Sequence, residues 1–90
     1  MVKVEFHGDY HKDLDKLIKE TPDISNEIDK RVKWFRKNSN DTRLDNHALT
    51  SRMEGKWAFS ITSDIRIVYE WLGKKTARFL AIGSHKKAYQ

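Results

Sequence analysis

Four histidines and no cysteine mark out the chemistry open to this chain. Imidazole titrates close to neutral pH, so a histidine can take a proton in one position and return it in another. Without a thiol there is no cysteine nucleophile, thiolate metal site or disulfide framework. His47 sits in Asn46-His47-Ala48-Leu49 within a polar stretch, and His85 follows Gly83-Ser84 near the end, whereas His7 and His11 read as ordinary surface residues. Asp64 and Arg66 stand two residues apart in an alternating segment, on one side of a strand. Asp64 is suited to orienting an imidazole or accepting a proton, or else to a plain turn; Arg66 is suited to a phosphate oxygen, or else to a surface pair with Glu70. Tyr89 offers a ring that stacks on a base or anchors the tail, and Lys56, Lys86 and Lys87 supply cations for a nucleic-acid backbone. His47, Asp64 and His85 also have the composition of a two-histidine, one-carboxylate metal site, but they lack the short spacing of many such sites, so no metal and no cofactor are expected.

These residues need a frame. Val2, Val4 and Phe6 alternate with polar neighbours and predict a strand over residues 2–7. Gly8 breaks the period, Asp9 is placed to cap, and Tyr10, Leu14, Leu17 and Ile18 share one face of a helix over 10–20. Thr21-Pro22 opens a second helix, with proline at its first position and a buried stripe of Ile24, Ile28, Val32 and Phe35. It ends near Asn38, a residue tolerant of the left-handed conformation. Residues 39–55 follow neither period and predict a long loop, a length at which function is the usual reason for order. Alternation returns from Trp57 to Ile61 and from Ile65 to Trp71, with Thr62-Ser63-Asp64 turning between. Gly73-Lys74-Lys75 then turns into an apolar, central strand over 76–82, and the tail from Gly83 leaves the sheet. The expected class is α+β: strand, helix, helix, strand, strand, strand, with the helical hairpin on one face of a small, mostly antiparallel sheet. Ile65, Ile67, Tyr69 and Trp71 face the helices, which sends Asp64 and Arg66 to the open face.

Ninety residues suit one domain spanning 1–90, with one core and no room for a second. Tyr10, Trp34, Phe35, Trp57 and Trp71 read as packing residues rather than a cofactor box. No run approaches the ~18 apolar residues of a membrane span and the N-terminus lacks a secretory apolar region, so a cytoplasmic protein with no membrane partner is expected. The net charge of +5 is lopsided: residues 1–45 hold ten basic and ten acidic side chains, residues 46–90 eight and three. A neutral half beside a basic one reads as a scaffold carrying an anion-facing surface.

Taken in order, Arg43-Leu44-Asp45-Asn46-His47-Ala48-Leu49, Gly55-Lys56-Trp57, Asp64-Ile65-Arg66-Ile67-Val68-Tyr69 and Ile82-Gly83-Ser84-His85-Lys86-Lys87-Ala88-Tyr89 form a recognisable series. The chain resembles the RelE/ParE superfamily of toxins from type II toxin–antitoxin systems, most closely the YafQ-like messenger-RNA endonucleases, over essentially its whole length. The resemblance implies metal-independent cleavage of mRNA in the ribosomal decoding site and silencing by a cognate antitoxin that wraps the toxin. It implies a catalytic set of His47, Asp64, Arg66, His85 and Tyr89, with Arg66 against the scissile phosphate and Lys56, Lys86 and Lys87 on the RNA backbone. One position departs: YafQ-like members often carry a further histidine four residues before the aspartate, where this chain has Ser60. Two other readings compete, a ParE-like inhibitor of DNA gyrase on the same fold and a non-catalytic nucleic-acid-binding module; the paired histidines favour cleavage.

Overall fold

The computed structural model describes residues 1–84. In chain order these form β1 (Lys3–Phe6), α1 (Gly8–Glu20), α2 (Ile24–Lys37), β2 (His47–Ala48), β3 (Trp57–Ser60), β4 (Ile65–Trp71) and β5 (Thr76–Ser84). Short 3₁₀ turns at Thr42–Leu44 and Ser51–Met53 flank β2.

The helices form where the apolar spacing puts them, while their ends differ in detail. α1 begins at Gly8 because His7, in extended backbone, supplies the cap: its Nδ1 accepts the Asp9 N–H at 3.2 Å. Asp9 is already inside the first turn, where a carboxylate meets the positive end of the helix. Pro22 and Asp23 form a turn instead of helical residues, with the Ile24 N–H donating to the Thr21 carbonyl at 3.0 Å. Asn38 ends α2 in extended backbone (φ −157°), its Oδ1 accepting the Asn40 N–H. The left-handed conformation appears further on, at Asp45, Ser51 and Gly55.

The sheet order is β1-β5-β4-β3-β2. β1 runs parallel to β5 (Lys3↔Thr76 to Phe6↔Phe79), and every other pairing is antiparallel. Two differences from the sequence reading matter for the site. The stretch 39–55 is not a plain loop: it contributes a fifth strand, β2, on the edge of β3, and two residues are too few to show any period. β5 does not stop at Ile82 either, since Gly83 pairs with Arg66 and Ser84 with Ile65.

α1 and α2 cover one face of the sheet. There Tyr10, Ile24, Ile28, Phe35, Leu44, Phe59, Ile61, Ile67, Tyr69, Ala77, Phe79 and Ile82 form the main core, with Leu14, Leu17, Ile18 and Val32 packed against it. Phe35 lies at its centre, stacked on Phe59 with ring centroids 4.6 Å apart and edge-on to Tyr69 at 4.9 Å. The opposite face is partly roofed: Ala58 and Val68 are buried beneath Leu49, Met53, Leu80 and Ala81, so the segment after β2 folds over one row of the sheet. Among the described residues no helix is long and apolar enough to cross a membrane.

Candidate functional site

The register decides which residues meet. Directly paired residues of neighbouring strands project to the same face, as do residues two apart along one strand. His47 pairs with Ala58, Ala58 with Val68 and Val68 with Ala81, making one row across the sheet away from the helices. The adjacent row runs Ser60, Arg66, Gly83. His47 and Arg66 therefore share a face, two strands and one step apart, with Ala58 and Val68 between them covered by Leu49 and Met53. β2, absent from the sequence reading, is what brings His47 there.

His47 is exposed, and its Nδ1 lies 2.9 Å from the Asp45 carbonyl oxygen. A carbonyl only accepts, so Nδ1 carries the proton and the neutral ring has its basic nitrogen at Nε2. Asp45 reaches this position through left-handed backbone (φ 50°), a conformation that aspartate tolerates better than most residues. Beside His47 the chain from Ala48 to Met53 curls around an open hollow of about 460 Å³, with Arg52 on its lining.

The preceding segment is fastened to the scaffold. Leu44 is fully buried. Arg43 grips Asp41 with two nitrogens (Nε–Oδ1 3.0 Å, Nη2–Oδ2 2.7 Å) and lays its guanidinium 3.6 Å from the Trp34 ring centroid. That pairing, with the Arg43 backbone N–H on the same carboxylate, holds the Asp41 pKa down at about 2. Arg31 of α2 donates to the Arg43 carbonyl at 2.7 Å. Asn46, next to His47, donates from Nδ2 to the Ser39 carbonyl at 2.7 Å and accepts the Tyr69 hydroxyl on Oδ1 at 2.8 Å. Asn46 and Tyr69 thus support the histidine from below. Both stand in the motifs read from the sequence, but Asn46 passed as a turn former and Tyr69 as core.

Tyr69 is fully buried, and burial pushes its phenol up to about 12, only partly offset by its side-chain hydrogen bonding with Asn46 and Trp71. Tyrosine in an unfolded chain ionises near pH 10, so ionisation favours unfolding. Stability is fully present below pH 10 on this account and falls between about pH 10 and 12. Tyr69→Phe should lessen that alkaline loss, followed by circular dichroism and tyrosinate absorbance. At neutral pH the same change strands the Asn46 acceptor and should cost about 1–3 kcal/mol, read as a lowered urea midpoint.

The remaining sequence-selected residues are distributed as follows. Arg66 is on the open face as expected, but its partner is Ser60; Glu70 lies instead 3.9 Å from Arg78. Asp64 stands just outside β4. It belongs to the turn before β4, where Thr62 Oγ1 accepts the Asp64 and Ile65 N–H groups, and alternation counted back from Arg66 does not survive that turn. Asp64 lines a groove of about 270 Å³ with Asp13, Lys16 and Glu20 of α1, on the helical side of the sheet end. Lys56 is half-buried at the root of β3, its carbonyl accepting the Leu49 N–H and its own N–H donating to the Met53 carbonyl. His85, Lys86, Lys87 and Tyr89 lie outside the described residues. Among the described residues no three His, Cys, Asp or Glu side chains gather in a way that could hold a metal ion.

A helical hairpin on a five-stranded mixed sheet is the fold of YafQ and YoeB/ParE toxins. Among solved structures it is similar to YafQ from E. coli (TM-score 0.82, 21% identity, 100% of each chain covered). It is likewise similar to YafQ in the E. coli DinJ–YafQ complex (TM-score 0.76, 22% identity, 100% of each chain). A copper-bound mutant toxin from Helicobacter pylori matches with TM-score 0.77 and 26% identity over 97% of this chain and 98% of that one. No curated protein sequence matches. The model for the family described as bacterial toxin of type II toxin–antitoxin system, YafQ, matches residues 2–90, and the chain belongs to that family. It is a toxin of a type II toxin–antitoxin system.

Proposed function

We propose that this toxin is a ribosome-dependent mRNA endonuclease that needs no metal and uses the RNA's own 2′-hydroxyl as nucleophile. The observation that carries the reading is the shared face of His47 and Arg66, with His47 held through Nδ1 so that Nε2 is its proton-accepting atom. One histidine of the pair His47 and His85 removes the 2′-hydroxyl proton. O2′ attacks phosphorus, the P–O5′ bond breaks, and the other histidine protonates the departing 5′-oxygen. The products are a 2′,3′-cyclic phosphate and a 5′-hydroxyl end, and the two proton transfers balance. Arg66 stabilises charge on the phosphoryl oxygens as it builds. Asp64 and Tyr89 complete the set implied by the resemblance, while Lys56, Lys86 and Lys87 hold the backbone. Its place of action is the cytoplasm, where mRNA is translated.

A small sheet face with few polar groups does not by itself hold a flexible strand in line for attack, and the ribosomal decoding site supplies that geometry. The test is to express the chain in a translation extract and map mRNA 5′ ends with and without ribosomes. Cuts confined to ribosome-bound messages are expected. Efficient cutting of naked RNA would make it a self-sufficient nuclease, and no cutting in either arm would overturn the endonuclease reading.

The silencing partner is proposed to be a cognate antitoxin, in line with the DinJ–YafQ complex of the E. coli relative. A segment that folds on binding, bringing carboxylates to Arg66, Lys86 and Lys87, would match the basic half of the chain.

A further inference from the structure

We propose that Ser60 is a positioning residue for Arg66, its hydroxyl fixing the guanidinium on the open sheet face before RNA arrives. This rests on the endonuclease reading and assigns work to the position at which the family histidine is missing. Ser60 lies directly opposite Arg66 in the β3–β4 register and is the one buried polar residue among those described, at 9% exposure. Arg66 Nη1 donates to Ser60 Oγ at 2.6 Å. On its other flank Arg66 faces Gly83, which offers no side chain. The Arg66 Nε is enclosed and has no hydrogen-bond partner among the described residues. The guanidinium is therefore held at one terminal nitrogen, and the donors left for a phosphate are the terminal ones rather than the Nε edge.

The chemistry of the partner matters. A carboxylate opposite Arg66 would hold it as firmly but neutralise it and compete with phosphate; a hydroxyl accepts the hydrogen bond and leaves the full positive charge for the substrate. The post is itself braced, since the Ser60 backbone carbonyl accepts Arg31 Nη1 from α2 at 3.4 Å. A long, flexible side chain ordered during folding loses less freedom when the phosphate binds, so the effect belongs mainly to the chemical step.

The test compares Ser60→Ala, Ser60→Thr, Arg66→Ala and the Ser60→Ala/Arg66→Ala double variant in the full chain. Cleavage on programmed ribosomes is measured beside ¹⁵N NMR of the Arg66 guanidinium. Ser60→Ala should lower kcat about tenfold, the worth of one hydrogen bond to a charged group, with little change in KM. Ser60→Thr, which keeps the hydroxyl, should recover most of that loss, and in the Arg66→Ala background Ser60→Ala should add nothing. The Arg66 Nη signals should be distinct in the parent and averaged by free rotation in Ser60→Ala. Parent-level kcat in Ser60→Ala, an equal further loss in the Arg66→Ala background, or unchanged guanidinium signals would each overturn the proposal. If the parent cuts nothing the endonuclease reading falls by itself, and the NMR comparison still decides whether Ser60 holds Arg66.

Discussion

His47→Ala should slow mRNA cleavage by about 10² to 10⁴-fold, the usual cost of losing a general acid or base, while the protein stays folded. The side chain is exposed on a two-residue edge strand, and the anchors of its segment belong to other residues: Leu44 in the core, Asn46 on Tyr69 and Ser39, Arg43 on Trp34. Truncating an exposed imidazole leaves all of these in place, so stability should change by no more than about 0.5 kcal/mol. His85→Ala is expected to show a loss of the same order. Single-turnover cleavage on ribosomes carrying a defined message, with growth arrest in the cell, measures both. If both variants cut as fast as the parent, the proton transfers belong elsewhere, and Asp64, Arg66 and Tyr89 must carry the chemistry.

Phe35→Ala should remove about 3–5 kcal/mol of folding stability, a large share of the roughly 5–15 kcal/mol available to a domain. Phe35 has no exposed surface and touches four aromatic rings: it stacks on Phe59 and Trp71 and meets Tyr69 and Phe79 edge-on. Rings from three strands close on it, so the space left by truncation cannot collapse easily. The variant should unfold at a much lower urea concentration and be substantially unfolded near 37 °C if the parent's stability lies at the low end of that range. A urea midpoint within error of the parent's would contradict the central place given to this ring.

The sequence made the helices and every strand but β2 legible because their apolar residues recur with a period. Ile24, Ile28 and Phe35 fall on one helical face, and Ile67 and Tyr69 alternate into the core, as spacing requires. What spacing could not reveal were features that do not repeat. β2 has two residues and no period, yet it sets the face on which His47 stands. Asp64 lies in the turn before β4, whose hydrogen bonds to Thr62 end the alternation, so counting by twos from Arg66 does not reach it. The cation–π contact of Arg43 with Trp34 and the Asn46–Tyr69 hydrogen bond join residues 9 and 23 positions apart, and nothing in their local pattern announces a partner. Arg66 on the open face was legible; its hold by Ser60 required the β3–β4 register.

Translation delivers the strands of this sheet in a different order from the one in which they are needed. β5 lies between β1 and β4 and is the sole neighbour of β1, while α1 leans on it through Tyr10 and Phe79, whose ring centroids are 5.6 Å apart. Lys3 leaves the ribosome 73 residues ahead of Thr76, with which it pairs. Closing so wide a loop is entropically unfavourable until the helical hairpin and the β3–β4 hairpin stand ready to receive it. A nascent chain short of β5 lacks the only strand neighbour of β1 and the main support of α1. The toxin thus completes its sheet only after β5 has been made.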